Sequence, residues 1–343
     1  MPYDYLAQSP ETFAGSAEGE RMDVLSEVLK VVKLQGALFY NAEFSSPWSV
    51  SASSSRALAS HFAPGGEHVI VYHLVIEGRA FVRLESGERI PVNAGEIVMI
   101  PHGDRHILEN GPPTPTIDDS HQLGQVLAQG LKLWRVGGGG EVTRIVCGYM
   151  ACEPRLSTVF LSGLPPVLKV NIRNDDSGRW LENSIRFSVN EAGTSRAGGE
   201  AVLAKLSEVL FVETLRSYIA QLPSEQTGWL AGARDSEVGQ TLALMHRNPT
   251  HPWTIATLAK KAGISRSVLA ERFRHYLREP PMAYLTRWRL QLGAQMLSST
   301  NYAVSQIAAE VGYDSDAAFN RAFKRHFKIP PARFRSQSRS ART

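Results

Sequence analysis

Cysteine is scarce in this sequence: Cys147 and Cys152 are the two in 343 residues. So small a supply excludes a disulfide scaffold. Four residues separate the two, which is not the spacing of a tight zinc knuckle. Long apolar runs are missing as well. No stretch approaches the roughly 20 apolar residues that a membrane-spanning helix needs. Residues 1–20 carry acids and lack the apolar segment of a secretory leader. The reading is a cytoplasmic chain with reduced thiols and no membrane partner. Disorder is excluded too, because 43% hydrophobic and 20% charged residues are enough to build packed cores. A chain of this length usually holds two domains.

Acidic residues are lacking at one end only. Residues 240–343 hold 17 Lys and Arg against 5 Asp and Glu, whereas residues 1–239 hold 20 against 28. The net charge of +4 conceals this asymmetry. A basic third beside an acidic remainder points to a polyanion at one end, with a merely solvated basic face as the competing reading.

Along the chain, Met22 to Lys33 has helical apolar spacing. Val69 to Ile76, Ala80 to Leu84 and Glu96 to Ile100 read as short strands punctuated by Gly78, Gly87 and Gly95. Strands at this spacing imply a sandwich or small barrel. Glu200 to Leu222 predicts a helix whose apolar residues spread over a wide face, suited to pairing with a second chain. Pro223 to Gly232 reads as a linker. From Asp235 onward the pattern is helical.

Within that last part, two segments repeat at an offset of 49–50 residues. Ile255, Leu258, Ala259 and Ala262 are followed by Gly263, then Ser265, then a helix with Leu269, Phe273 and Tyr276 inward. Val304, Ile307, Ala308 and Val311 are followed by Gly312, then Ser315, then a helix with Phe319, Phe323 and His326 inward. A short helix, a glycine turn and a second helix make the helix-turn-helix layout. Glycine suits a left-handed turn position, and serine suits a helix N-cap. The outward face of the first second-helix carries Arg266, Ser267, Ala270, Glu271 and Arg274. Ser315, Asp316, Ala317, Asn320, Arg321 and Lys324 form its counterpart in the other unit. Small residues let a helix enter the major groove, where Arg reaches guanine, Asn pairs with adenine and Glu accepts from cytosine. Lys260, Lys261, Arg325 and Arg333 are candidates for phosphate contacts. A helix over Pro281 to Ser298, about 25 Å long, joins the two units.

The stretch from His251-Pro252-Trp253-Thr254-Ile255 through Ala262-Gly263-Ile264-Ser265, Pro281-Met282-Ala283-Tyr284-Leu285, Val311-Gly312-Tyr313-Asp314-Ser315 and Pro331-Ala332-Arg333-Phe334 closely resembles the DNA-binding domain of the AraC/XylS family. The resemblance covers about 100 residues. It implies a sequence-specific regulator of transcription, commonly an activator that contacts RNA polymerase. Where the family commonly has glycine after each second helix, this chain has Arg278 and Lys328.

Upstream, Gly95, Pro101, Gly103, His106 and Asn110 match the second cupin motif, while the first is degraded, with His68 and His73 bracketing its place. Residues 23–195 thus resemble the cupin sensor domain of one branch of AraC-like regulators, supported by Leu161-Ser162-Gly163-Leu164-Pro165-Pro166. The resemblance makes His106 a candidate ligand for a divalent metal, with His68, His73, Cys147 and Cys152 as companions and His102 nearby. On an unbroken strand, however, His68 and His73 face opposite ways.

The expectation is an α+β multidomain protein. Residues 1–20 form a flexible tail and residues 21–199 a cupin-like β-barrel sensor. Residues 200–234 form a helix and linker suited to homodimerisation. Residues 235–343 form an all-α domain with two helix-turn-helix units joined by a long helix. The expected function is a transcription regulator, not an enzyme. Its partners would be double-stranded DNA, RNA polymerase and a small-molecule effector. The alternative is a metal-dependent cupin enzyme with an attached DNA-binding domain.

Overall fold

The computed structural model describes residues 25, 34–52, 68–118, 133–152, 161, 163–173, 176–192, 197–223 and 225–340. The expected tail lies outside these residues, as does the helix expected over residues 22–33 apart from Leu25.

The N-terminal half is two packed β-sheets. Its strands are β1 (Leu34–Ser45), β2 (Trp48–Ala52), β3 (His68–Glu77), β4 (Arg79–Leu84), β5 (Arg89–Asn93), β6 (Glu96–Ile100), β7 (His106–Asn110), β8 (Ile117–Asp118), β9 (Trp134–Gly137), β10 (Val142–Cys152) and β11 (Leu168–Asn171). One sheet runs β11-β6-β3-β10-β1-β9 and the other β5-β4-β7-β2-β8. The three expected strands are β3, β4 and β6. Gly78, Gly87 and Gly95 occupy turns with positive φ.

Strand β3 shows why the sequence there is apolar almost without interruption. Val69, Val71 and Val75 pack between the sheets, against Val82 and Leu108 of the second sheet. Ile70, Tyr72 and Leu74 face the other way, in one cluster with Leu181, Ile185, Leu210 and Leu215. Those four lie on helices α1 (Asp176–Ala192) and α2 (Gly199–Gln221), which cover the outside of the six-stranded sheet. A strand buried on both faces has no polar alternation to keep.

The C-terminal half is helical: α3 (Trp229–Arg234), α4 (Ser236–Arg247), α5 (Ile255–Lys261), α6 (Arg266–Leu277), α7 (Pro281–Ser299), α8 (Val304–Glu310), α9 (Asp316–Phe327) and α10 (Pro331–Ser340). The expected linker is partly helix, since α3 starts inside it and buries Trp229, Leu230, Ala231 and Gly232 in succession. The apolar cluster beneath the β-sheet continues through Leu222 and Trp229 into Leu242, Phe273 and Leu285. The second repeat has a separate core of Leu290, Ala294, Leu297, Ile307, Ala308, Val311, Phe319 and Phe323. Among the described residues no helix is long and apolar enough to cross a membrane.

Candidate nucleic-acid interface

Each repeat begins with a short scaffold helix, α5 or α8. Thr254 caps α5 reciprocally with Thr257, but Ala303 leaves α8 without a side-chain cap. Both helices end in the same way. Ile264 N–H donates to the Ala259 carbonyl at 3.0 Å, and Tyr313 N–H to the Ala308 carbonyl at 2.9 Å. This six-to-one bond spans a residue in left-handed conformation, which is Gly263 (φ 72°) in one unit and Gly312 (φ 81°) in the other. At Gly263 a Cβ would meet open space, whereas at Gly312 it would lie 2.9 Å from the Thr250 Cα. The second glycine is therefore held by packing as well as by φ.

The second helices, α6 and α9, start on Ser265 and Ser315. Their hydroxyls accept from the Val268 and Ala318 N–H groups, both at 3.2 Å. Such caps are worth ~1 kcal/mol each. Inward, Leu269 and Phe273 anchor α6 while Phe319 and Phe323 anchor α9. The third inward position of α9 is Phe327, which stacks on Phe323 and Phe334; His326, expected there, is exposed. Both helices end in a basic residue in left-handed conformation, Arg278 at φ 60° and Lys328 at φ 65°.

The outward faces are open. Arg266, Ser267, Glu271 and Arg274 of α6 are exposed and Ala270 is half-buried. On α9, Asp316, Ala317, Arg321 and Lys324 are exposed, as is the capping Ser315. Asn320 is half-buried and donates from Nδ2 to the Asp316 carbonyl at 2.8 Å. The structure thus brings all eleven expected residues onto two faces, one per unit. Between the units α7 spans 19 residues, roughly 28 Å at 1.5 Å per residue. Arg289 of α7 donates to the Pro249 and His251 carbonyls at 2.6 and 2.8 Å, which ties the joining helix to the first unit.

The first unit has a buried polar network that sequence reasoning missed. Trp229 Nε1–H donates to the Tyr284 hydroxyl at 2.9 Å, and that hydroxyl lies 2.7 Å from His246 Nε2. The Tyr284 hydroxyl thus joins the indole and the imidazole in one buried hydrogen-bonded chain. Burial, reinforced by the charge of Arg287, pushes His246 down to about 3. The two aromatic residues and the histidine come from α3, α4 and α7, so the network binds the former linker into the domain.

The cupin half holds a second buried chain. His106 Nδ1 lies 2.9 Å from the Asp104 carbonyl, His106 Nε2 lies 2.7 Å from His73 Nε2, and His73 Nδ1 lies 3.1 Å from Cys147 Sγ. A carbonyl only accepts, so His106 carries its proton on Nδ1. His73 then donates from Nε2, and the Cys147 thiol donates to His73 Nδ1. Burial holds both imidazoles neutral, His106 down at about 4 and His73 well below its ordinary value with the neighbouring His106 adding to the effect.

Among the described residues these side chains form a hydrogen-bonded chain and not a converging set of ligands. Cys147 sits on the far nitrogen of His73 from His106. His102 is turned to the Leu164 carbonyl at 3.1 Å. Backbone register pairs His68 with Cys152, five residues along from the His73–Cys147 pair, and their side chains lie outside the described residues. Among the described residues no three His, Cys, Asp or Glu side chains converge as a metal site.

A cupin family profile matches residues 23–220 and a helix-turn-helix domain profile matches residues 258–337. The chain is similar over almost its whole length to curated regulators. The HTH-type transcriptional regulator AlkR of Acinetobacter baylyi is 28% identical over 326 residues, covering 92% of this chain and 100% of that protein. The RCS-specific HTH-type transcriptional activator RclR of Escherichia coli K12 is 28% identical over 319 residues, covering 93% and 99%. Among solved structures, a transcriptional regulator of the AraC-type DNA-binding class from Chromobacterium violaceum is 30% identical, covers 32% of this chain and 96% of that one, and superposes with a TM-score of 0.30. With a cupin profile over more than half its length and two helix-turn-helix units at its basic end, the protein belongs to the AraC-type transcriptional regulators that carry an N-terminal cupin domain, and is a DNA-binding regulator, not an enzyme.

Proposed function

We propose that α6 and α9 read two boxes in successive major grooves on one face of the duplex, and that a small molecule bound by the cupin domain controls this. The observation that carries the reading is the pair of exposed, polar, unequal faces on two capped helices joined by one helix of about 28 Å. One turn of DNA is ~34 Å, so the two helices have a span of the right order. Arg266, Ser267, Ala270, Glu271 and Arg274 read the first box. Asp316, Ala317, Asn320, Arg321 and Lys324 read the second, and Ser315 holds the helix end beside the backbone. Lys260, Lys261, Arg325 and Arg333, all exposed, supply phosphate contacts and hence a salt-dependent share of affinity.

The same reading makes the protein a cytoplasmic activator that touches RNA polymerase; of its relatives, RclR of Escherichia coli is named a transcriptional activator. It also makes it a homodimer through α1 and α2. Trp180 and Phe187, seven residues apart on α1, are 45% and 48% exposed; Val202 and Val209, seven apart on α2, are 41% and 42% exposed. Apolar side chains this open at helical spacing on two packed helices support pairing with a second copy.

The test is Arg321→Ala, with binding measured against DNA carrying every base at each position of the second box. Loss of a bidentate guanine contact costs about 1–3 kcal/mol and relaxes preference at one position. Unchanged affinity and unchanged base preference would remove Arg321 from the reading face.

A further inference from the structure

Two adjacent residues just after the expected linker grip opposite sides of the molecule. Arg234, the last residue of α3, donates from its guanidinium to the Ile219, Leu222 and Pro223 carbonyls at 3.4, 2.5 and 2.9 Å. These carbonyls belong to the end of α2 and the residues after it, where a helix leaves acceptors without partners of its own. Asp235, the next residue, caps α4 by accepting from Val238 N–H at 2.9 Å. Its other oxygen binds Arg272 of α6, which also pairs with Glu237 at 3.1 Å. Burial alone would raise the Asp235 carboxyl. The hydrogen bonds from Arg272 and Val238 outweigh it and hold the group below its ordinary value, so it is charged at neutral pH. A third tie runs from Gly228 N–H to the Tyr276 carbonyl at the end of α6, at 2.9 Å.

We propose that Arg234 and Asp235 form the joint through which helix α2 of the cupin half positions helix α6 of the first reading unit. The two grips lie one peptide bond apart, so a shift of the end of α2 reaches α6 through one residue of backbone. The continuous apolar cluster across this junction makes the connection stiff. A cleft of about 140 Å³ lined by Leu164, Pro165, Tyr218, Leu222, Gln226 and Trp229 lies beside it. The second unit, with its own core, has no such tie to α2 among the described contacts. With the joint closed the reading face of α6 is uncovered, so the closed joint is the state competent for DNA. Arg234 is a positioning residue on this account, since it faces carbonyls and not the reading surface.

Hydrogen exchange of the full-length chain tests the joint without DNA, and so does not depend on which side chains read bases. Arg234→Gln is expected to accelerate exchange on the order of tenfold in the last turn of α2 and also in α6, leaving α8 and α9 at wild-type rates. Arg234→Lys, which keeps the charge, is expected to restore most of the protection. Asp235→Asn keeps a cap acceptor but loses the charge facing Arg272, so it is expected to accelerate α6 while the end of α2 stays protected. Wild-type rates in α6 for either Arg234→Gln or Asp235→Asn overturn the proposal, as does equal acceleration of α8 and α9, which would mark general loosening. On DNA carrying both boxes, Arg234→Gln is expected to lose about tenfold in affinity, close to 1.4 kcal/mol. On DNA carrying the second box alone it is expected to match wild type.

Discussion

The two helix-turn-helix units are built to one plan and anchored in opposite ways. Both have a glycine turn with positive φ, a serine-capped second helix and a basic residue in left-handed conformation at that helix's end. The first unit shares its core with the cupin half and adds the buried Trp229–Tyr284–His246 network. The second has its own core, in which the rings of Phe319, Phe323, Phe327 and Phe334 contact one another in tilted and edge-on pairs. The lesson is that the repeated residues specify the reading device, and the residues outside the repeat decide what the device is connected to. The first unit packs against the cupin half, while the second is joined to the first through α7.

The comparison breaks most sharply in the two cores. Phe323→Ala removes a fully buried ring and is expected to cost about 3–5 kcal/mol. The loss should appear as early exchange in α8 and α9 with α5 and α6 unchanged. Phe273→Ala carries a similar cost but sits in the shared cluster, so it should lower the unfolding temperature of the cupin half as well. Equal effects of the two variants on α1 and α2 would show that the cores are not distinct.

Acid distinguishes the units by a smaller amount. His246 titrates at about 3 when folded and near 6.5 otherwise. The unfolded chain therefore binds a proton that the fold refuses. The stabilisation is complete above pH 6.5 and falls as pH drops toward 3, by up to about 1.4 kcal/mol per pH unit. Among the described residues the second unit has no fully buried histidine. Its His326 is lowered by burial and by the charges of Arg287 and Lys328, but lies at the surface. The first unit is expected to melt earlier as pH falls from 6.5 to 4.5, and His246→Asn to flatten that slope by one proton. Parallel melting curves for the variant and the wild type would contradict the assignment.

The smallest expected difference lies at the two left-handed helix ends. Glycine at Arg278 or Lys328 relieves a backbone conformation that costs ~1 kcal/mol for a residue with a Cβ. Lys328 also donates from Nζ to the Arg325 carbonyl at 3.0 Å. Arg278→Gly is therefore expected to gain more stability than Lys328→Gly, read as denaturant midpoints. The reverse order would show that the lysine contact contributes little.

The sequence was most legible where identity is dictated by backbone geometry. Left-handed turns favour glycine at Gly263 and Gly312, helix starts favour a capping serine at Ser265 and Ser315, and the inward positions recur every three or four residues. The same rule misplaced one side chain, because residues 326 and 327 both satisfy the spacing after Phe323, and burial selects phenylalanine over histidine. The joint was not legible. Helix α3 is six residues long, too short to show a period, and its meaning comes from Ile219 and Arg272, which are distant in sequence. Strand β10 also escaped notice, although it carries Cys147. Its pairing with β3 decides which histidine meets which cysteine, and register is a tertiary fact that spacing within one strand cannot supply.

On the proposed reading one chain reads two boxes with two unequal faces. Selection of DNA from a random library by the full-length protein at near-physiological salt tests it most directly. The account predicts one enriched motif with two dissimilar boxes about one helical turn apart, and loss of preference in the second box alone for Arg321→Ala. Recovery of a single box, or binding that tracks salt without an enriched motif, would contradict it.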